Sequence, residues 1–442
     1  MKELITVFVV ILVSIVMQVT AKPMDIKTNY WLQGNHDEFQ TNRVNVFQPF
    51  PDFNVSIQGT PNIYFDRNLV LVDASRNVLI TNYALYDGEK FPQLDDFVLC
   101  SVDLTTGTLT KLNFDTSRPA FRSSSISHAV MSPQGVYYFA LSRQQVGLNF
   151  VFTYNLTAGH MGYSNYYSIP NGVQVDGLTI VDNTLFVYNV EALNAYNLDM
   201  TLKWTYATGF TYGQASNLIT TEEKGRKLLY YAAQNIVFRM DPLSFTLLRY
   251  QFPVDYSVKS VSYLGNGNLL VVVNDNSVLA DRIFSVNVVS GISTRLPVAA
   301  EPELGPLLRC SNSMNYQAPN NPFVTYSVLV CSEYTGGIGE RNVIGLSWDA
   351  TNPQKPNFSV QWHLKKFRAL DLPISATNIE GHFLLATDHG YMVMDMASGK
   401  MITTKQSNVA NSSCKIVTAM NGKFYSVCTD TSTMRIASRP IY

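Results

Sequence analysis

Short apolar runs of strand length alternate with polar turns along most of this chain, and one turn pattern recurs. It consists of Asp or Asn, two further residues, then Ser, Thr or Ala, and finally Gly. An Asp or Asn side chain can bond the backbone two residues on, and Gly accepts the left-handed conformation that closes a short hairpin. The pattern therefore predicts a β-hairpin at each of its four copies, which span residues 103–107, 155–159, 287–291 and 395–399.

Three looser copies, at Asn197, Asp241 and Asp349, fill the gaps between the four regular ones. The seven turns recur with a mean spacing of about 49 residues, a period typical of the four-stranded blades of β-propellers. A second hairpin-like pair of apolar runs lies upstream of each turn, as in 258–273. Two strands before the turn and two around it make one blade.

The end of the chain predicts an eighth blade that lacks its outer strand. A strand pair from Lys415 to Val427 and a third strand near 434–438 follow the last turn, and the segment from Asn45 to Ile57 is able to supply the missing strand. Pairing the two chain ends in this way removes exposed sheet edges. We therefore expect an all-β fold with a single propeller of about eight four-stranded blades; seven is the alternative.

The turn pattern resembles the repeat of the quinoprotein-like propellers, which runs roughly Ala-x-Asp-x-x-Thr-Gly with a Trp four residues later. The Asp-x-x-Thr-Gly part is matched at 103–107 and approximately at 395–399. Trp204 lies one residue from the expected place, and the leading Ala survives only at Ala195. The resemblance implies the propeller fold. It does not extend to cofactor binding, because the other tryptophans of that repeat are absent.

Composition and charge narrow the function classes. Hydrophobic residues make up 46% of the chain and charged residues only 15%, while 12% are aromatic, a bias that favours strands. Lys plus Arg number 32 and Asp plus Glu 33, so the chain lacks the basic excess expected of a nucleic-acid binder.

The N-terminus has the three parts of a secretory signal peptide. Lys2 precedes an apolar run from Leu4 to Val16, and the small residues before Lys22 offer a cleavage site after Ala21. The apolar run is shorter than the ~20 residues that a membrane span needs. We expect a signal peptide at 1–21, an N-terminal segment at 22–59 that supplies the closing strand, and the propeller at 60–442. Secretion to the extracellular space follows, with no membrane span after cleavage.

Five cysteines are expected to pair where geometry allows, because secreted proteins fold in an oxidising compartment. Cys414 and Cys428 flank a hairpin at Asn421-Gly422 and lie nearly opposite each other; Cys310 and Cys331 flank a second hairpin. Both disulfides are predicted, which leaves Cys100 over as a buried small hydrophobe.

Four sequons predict N-glycosylation, at Asn54, Asn155, Asn357 and Asn411. Asn155 also begins one of the predicted turns, which gives it a structural explanation as well.

No local motif for zinc, nucleotide or serine-hydrolase chemistry is found, and the six histidines are widely dispersed. His128 is the ligand-binding candidate, because it is expected on an inner strand, which in a propeller lines the central channel. No cofactor is predicted, although a metal ion in that channel would be compatible with the fold.

Three functions fit these observations. The leading one is a secreted module that binds an extracellular protein or glycan without catalysis. The rival is an extracellular enzyme, either a metal-assisted hydrolase or lyase or a cofactor-dependent oxidoreductase, with its site at the central channel. A structural or storage role in a coat or secretion is the third. Acidic or His side chains around the channel would favour the enzyme, whereas an aromatic, charge-poor patch on one face would favour binding.

Overall fold

The computed structural model describes the chain in 23 stretches, and every regular element in them is a β-strand. The described residues are 54–58, 63–64, 70–73, 78–85, 96–112, 125–143, 148–155, 167–169, 174–213, 215–278, 280–296, 307–308, 310, 313–318, 320–333, 341–352, 356–367, 374–375, 381–387, 390–406, 413–420, 423–429 and 433–440. No helix suited to crossing a membrane occurs among them. The predicted signal peptide at 1–21 lies outside the described residues.

The first half of the chain forms three complete sheets in sequence order. They are preceded by one strand that belongs to the last sheet of the chain. That strand, β1, is Asn54–Gln58. Sheet 1 contains β2 (Ile63–Tyr64), β3 (Val70–Asp73), β4 (Val78–Leu85), β5 (Asp96–Asp103) and β6 (Leu109–Lys111). Sheet 2 contains β7 (Ser125–Met131), β8 (Val136–Arg143), β9 (Leu148–Asn155) and β10 (Tyr167–Ile169). Sheet 3 contains β11 (Gly177–Val181), β12 (Thr184–Tyr188), β13 (Ala192–Asn197) and β14 (Leu202–Ala207).

The second half of the chain builds five more sheets. Sheet 4 contains β15 (Ile219–Glu223), β16 (Arg226–Ala233), β17 (Ile236–Asp241) and β18 (Thr246–Gln251), and sheet 5 contains β19 (Tyr256–Gly265), β20 (Asn268–Asp275), β21 (Ala280–Asn287) and β22 (Ile292–Arg295). Sheet 6 contains β23 (Leu307–Leu308), β24 (Met314–Gln317), β25 (Val324–Glu333), β26 (Arg341–Asp349) and β27 (Asn357–Phe367). Sheet 7 contains β28 (Ile374–Ser375), β29 (His382–Thr387), β30 (Gly390–Asp395) and β31 (Met401–Gln406); sheet 8 contains β32 (Ser413–Met420), β33 (Lys423–Thr429), β34 (Thr433–Pro440) and β1.

Sheets 1 and 6 have five strands because their first strand is divided into two pieces. In sheet 6 both β23 and β24 pair antiparallel with β25, on either side of Cys310. In sheet 1 both β2 and β3 pair with β4 in the same way. These two sheets therefore still have the four strand positions of the predicted blade. The described chain is an all-β protein of consecutive antiparallel sheets.

The recurring Asp/Asn turn lies between the third and fourth strands of its sheet, as predicted. In sheet 5 the Asn287 side-chain oxygen accepts hydrogen bonds from the backbone N–H groups of Val289 and Ser290, both at 3.0 Å. The Gly291 N–H then bonds the Asn287 carbonyl at 2.9 Å with Gly291 at φ 71°. Asp103, Asp241, Asp349 and Asp395 accept equivalent backbone hydrogen bonds.

Apolar side chains pack between consecutive sheets. In β20, Leu269, Val271 and Val273 join a core cluster with sheet 4, while Leu270 and Val272 join one with sheet 6. A strand buried on both faces needs apolar residues at every position, which explains the unbroken run at 269–273. Similar clusters link sheet 2 to 3, 3 to 4 and 6 to 7.

Tryptophan side chains from outer strands fill two of these sheet-to-sheet contacts. Trp204 of β14 packs between sheets 3 and 4, and Trp362 of β27 packs between sheets 6 and 7. The Trp362 indole donates a hydrogen bond to the Met396 carbonyl at 2.8 Å and stacks on Phe383. A Cβ at Gly345 would lie 2.0 Å from the Trp362 ring, so that glycine makes room for it.

The two ends of the described chain share sheet 8. β1, from the predicted N-terminal segment, pairs antiparallel with β34, with Asn54 opposite Ala437 and Gln58 opposite Thr433. The described residues thus form eight sheets, the number of blades expected from the repeat. Closure of these sheets into one ring stays a prediction.

Candidate functional site

The predicted ligand-binding histidine lies on the first strand of its sheet. His128 is on β7, opposite Ala140, beside a register shift after Ile126, and its ring is partly exposed. His363 lies on β27 and His382 on β29, so the described histidines stand on three different sheets. Within the described ranges no group of three His, Cys, Asp or Glu side chains is arranged to hold a metal ion.

One predicted disulfide is present. Cys310 and Cys331 are joined, which ties the interruption between β23 and β24 to β25. Cys414 and Cys428 are direct partners across β32 and β33, but their side chains lie outside the description, so their disulfide stays a prediction. Cys100 is free and buried, and burial raises the pKa of its thiol to about 12.

Two of the four glycosylation candidates have described side chains. Asn357 is exposed at the start of β27, whereas Asn155 ends β9 and is partly buried. Asn54 starts β1, with its side chain outside the description, and Asn411 lies outside the described residues. Glycosylation stays a prediction at all four.

Two sets of buried charged side chains bond neighbouring groups of the protein. The Asp281 carboxylate is fully buried; it accepts a hydrogen bond from Lys259 Nζ at 2.5 Å and another from the Cys310 N–H at 2.8 Å. Between sheets 4 and 5, Arg239 bonds Glu223 at 3.3 Å and the Tyr230 hydroxyl at 3.1 Å. Burial and the neighbouring Glu223 raise the pKa of Tyr230 well above its ordinary range. The Asp281 group thus ties sheet 5 to the Cys310 backbone of sheet 6, whereas Arg239, Glu223 and Tyr230 bond one another within sheet 4.

A cavity of about 350 Å³ lies between sheets 5 and 6, at the end where the Asn287 turn and the β26–β27 turn meet. That volume is at the small end of the ~300–1,000 Å³ typical of ligand sites. Its described wall residues are Asn266, Asn268, Ser285, Asn287, Ser290, Ile292, Thr294, Phe323, Trp348, Ala350, Thr351 and Pro356. None of them carries a charge.

Strand periodicity explains how these residues reach the cavity. Successive side chains of a strand point to opposite faces. In β21, Phe284 and Val286 pack toward sheet 4, so the intervening Ser285 faces sheet 6 together with Ile283. Thr294 of β22 is the direct partner of Ser285 and shares its face. Where the contact of sheets 3 and 4 has Ala195 and Trp204 at the corresponding places, this one has two hydroxyls.

The hydroxyls of Ser285 and Thr294 and the side-chain amide of Asn266 form no hydrogen bond with any described residue. Ser285 is only 3% exposed, yet it lines the cavity. Its hydroxyl can therefore bond a water or a ligand group in the cavity. These three side chains are the polar groups that a ligand would find unused.

Two further wall amides are already held in place. Asn287 donates to the Asn268 side-chain oxygen at 3.2 Å, and Asn268 donates to the carbonyls of Gly265 and Asn266 at 3.3 and 3.0 Å. Since both amides are fixed by backbone groups, this side of the cavity is pre-shaped before any ligand arrives.

The opposite wall is aromatic and belongs to sheet 6. Trp348 is 1% exposed, and its buried indole N–H has no hydrogen-bond partner among the described residues, while Phe323 is 47% exposed at the rim. Asp349, next to Trp348 in the sequence, accepts hydrogen bonds from the Thr351 N–H and hydroxyl within its own turn. The cavity therefore combines a neutral polar wall with an aromatic wall.

Sequence reasoning did not single out the cavity residues. The signal was weak: Ser285 and Thr294 occupy alternate positions of strands that read as ordinary core strands. The two hydroxyls are recognised as one surface only when the pairing of β21 with β22 is known. It must also be known which face of these strands meets sheet 6.

No protein-family model matches this sequence, and no curated protein matches it. Solved structures resemble it in fold. The β-propeller domain of Cps50 (Swd1) from Myceliophteria thermophila is 10% identical, covers 88% of this chain and 100% of that chain, and has a TM-score of 0.44. The WD40 domain of Pan2 from Neurospora crassa is 9% identical over 73% of this chain and 92% of that chain, with a TM-score of 0.43. Hydrazine synthase of Kuenenia stuttgartiensis is 10% identical over 68% and 91%, with a TM-score of 0.41.

Likenesses of this size carry no argument about function, and the relation to quinoprotein-like propellers stays a prediction. Three features of the chain itself indicate the propeller fold. Consecutive segments form four-stranded antiparallel sheets, the Asp/Asn turn lies between the third and fourth strands, and one sheet packs on the next through apolar side chains. The chain is a β-propeller protein.

Proposed function

We propose that this protein is a secreted, non-catalytic binding module that holds part of an extracellular protein or glycan in the cavity between sheets 5 and 6. The observation that carries the proposal is the wall of that cavity. It joins hydroxyl and amide groups to an aromatic surface, and none of its described residues is charged. Such walls are typical of sites that bind and orient a ligand.

The proposed compartment is supported by two independent features. The N-terminus has the charged, apolar and small-residue parts of a signal peptide. The Cys310–Cys331 disulfide belongs to the kind that persists in oxidising compartments. Native mass spectrometry of protein secreted from eukaryotic cells tests this part, with cleavage after Ala21 as the expected result; an uncleaved chain would contradict it.

Binding is tested with a variant that fills the cavity. Immobilised wild-type protein and Thr294→Trp are each exposed to an array of glycans and to a panel of purified extracellular protein domains. We expect at least one probe to be retained by the wild type and lost by the variant. The proposal is wrong if no probe depends on the cavity, or if the wild type converts a bound probe chemically.

A further inference from the structure

We infer that the ligand of the cavity between sheets 5 and 6 is a neutral sugar unit, such as a terminal residue of a glycan. This inference rests on the binding function proposed above and specifies its ligand. It is built from three properties of the described wall residues: they carry no charge, they include unused hydroxyl and amide groups, and they place an aromatic side opposite those groups.

The uncharged wall selects against ionic ligands. Moving a carboxylate or an ammonium group out of water costs several kcal/mol unless an opposite charge meets it. No described wall residue offers one, and Asp349 next to the wall is occupied by Thr351. A sialic acid, a phosphorylated sugar or a charged peptide side chain would enter at a penalty that a neutral polyol avoids.

The hydroxyl pair matches groups that both donate and accept hydrogen bonds. Ser285 and Thr294 face each other across β21 and β22, so they offer two adjacent hydroxyls on one surface. Sugar hydroxyls are donors and acceptors at once, and each protein hydroxyl can serve in either role. The Asn266 amide adds two donors and one acceptor at the end of the same wall.

The aromatic side supplies the apolar half of sugar recognition. A sugar ring carries C–H groups on its faces and hydroxyls around its edge. The negative face of an aromatic ring attracts such C–H groups. Trp348 at the base and Phe323 at the rim place apolar surface opposite the hydroxyl pair, so a ring lying between sheets 5 and 6 would meet both kinds of group.

The cavity is also at the place where the contact of sheets 3 and 4 carries a tryptophan. Thr294 pairs with Ser285, two residues before Asn287, just as Trp204 pairs with Ala195, two residues before Asn197. A tryptophan at position 294 is therefore the natural way to fill the cavity, and the fold already accommodates one at the corresponding place.

The test uses the methyl glycosides of glucose, galactose, mannose and N-acetylglucosamine as probes, with the methyl glycoside of sialic acid as the charged comparator. Binding is measured by saturation-transfer difference NMR and titration calorimetry. Asn357, a predicted sequon residue next to the wall residue Pro356, is replaced (Asn357→Gln) in every sample, so that a sugar attached there does not compete. We expect at least one neutral glycoside to bind and the sialoside to bind at least tenfold more weakly.

Variants then tie the binding to the wall. Thr294→Trp should reduce affinity by at least about a hundredfold. Ser285→Ala and Thr294→Val, which each remove one hydroxyl, should reduce it about threefold to tenfold. Ser293→Trp is the matched control, because Ser293 is the next residue on β22, is exposed, and bonds Tyr250 of sheet 4 on the other face; its affinity should be unchanged. A thermal melt establishes that each variant is folded.

The outcomes separate the two proposals. If cavity-dependent binding is found only for protein domains, or for the sialoside at equal affinity, the sugar inference is wrong and the binding function stands. If neutral glycosides bind equally to Thr294→Trp and to Ser293→Trp, the sugar site lies elsewhere and the inference is also wrong. If no probe of any class depends on the cavity, both proposals fall together.

Discussion

The contact of sheet 3 with sheet 4 and the contact of sheet 5 with sheet 6 have the same strand arrangement. They differ in the side chain next to the turn. In the first, Trp204 fills the space beside the turn, with its ring 5.7 Å from Phe186 and 5.5 Å from Phe245. In the second, Thr294 occupies the corresponding place and leaves a cavity of about 350 Å³. The comparison shows that a hollow in this fold arises from a small polar residue where an aromatic one would fit.

A third contact shows another solution at the same level. Between sheets 4 and 5, Arg239 lies two residues before Asp241, and it is bound to Glu223 and Tyr230. Three successive contacts thus carry an aromatic cluster, an ion pair with a tyrosine, and a cavity. The repeat fixes the backbone, while one or two side chains per sheet decide whether the space is filled.

The largest expected effect on stability comes from removing the tryptophan that fills the contact of sheets 3 and 4. Trp204→Thr should lower the free energy of unfolding by about 3 kcal/mol, because it removes aromatic packing and leaves a cavity. Urea unfolding followed by fluorescence measures it. Lys203→Thr, on the neighbouring exposed residue, is the control and should change stability by less than about 0.5 kcal/mol. A loss below 1 kcal/mol in Trp204→Thr would mean that the tryptophan is not what closes this contact, since ~3–5 kcal/mol is typical of such truncations.

Stability also depends on pH through Asp176, which lies just before β11 of sheet 3. Burial raises the pKa of its carboxyl to about 7, whereas an unfolded Asp titrates near ~3.9. The raised value means that the carboxyl is neutral in both states at low pH, and that ionisation favours unfolding as pH rises from about 4 to about 7. Asp176→Asn should therefore stabilise the protein by on the order of 2 kcal/mol at pH 8 and by much less at pH 4.5.

Urea unfolding of both proteins at the two pH values measures that difference. Asp199→Asn provides the comparison, because hydrogen bonds from Thr201 lower the pKa of the Asp199 carboxyl. Its removal should matter more at pH 8 than at low pH, as a loss of stability and not a gain. An Asp176→Asn effect of equal size at both pH values would show that this carboxyl is not protonated in the folded protein.

The smallest expected effect concerns the last residue of the turn. Gly291 beside the cavity has φ 71°, and a Cβ there would meet nothing within 4 Å, so Gly291→Ala should cost only the backbone strain, about 1 kcal/mol. Phe245 has φ 55° at the same position of its turn and is 60% exposed, but its ring packs on Trp204. Phe245→Gly should be nearly neutral, because relief of strain offsets the lost aromatic contact, worth ~0.5–1.5 kcal/mol. Equal losses in both variants would contradict this explanation.

The turns were predictable from sequence because they are local. Asn287 and Gly291 are four residues apart, and the side chain that starts the turn bonds the backbone within it. The pairing of β1 with the last strand was also predictable, since the final sheet lacked a fourth apolar run. Phe245, in the left-handed conformation that glycine favours, is the exception that only the neighbouring Trp204 explains.

The cavity was not predictable, because its wall residues come from four strands and two sheets. Ser285 and Thr294 are nine positions apart and read as ordinary polar residues in half-buried strands. The register of β21 on β22 places both side chains on one face. The space beside them stays open because of the side chains that sheet 6 places opposite. His128, which sequence reasoning preferred, lies on a strand of sheet 2.

The pairing of β1 with β34 has a consequence for how the chain folds during synthesis. Nearly the whole protein is made between Asn54 and its partner Ala437. The entropic cost of joining such distant segments rises only slowly with the length between them, but the join must wait until β34 has left the ribosome. Until then β1 lacks its partner, and sheet 8 is expected to be the last sheet to form. Truncations that remove β34 should thus leave a chain with an unpaired N-terminal strand that is prone to pair with other molecules.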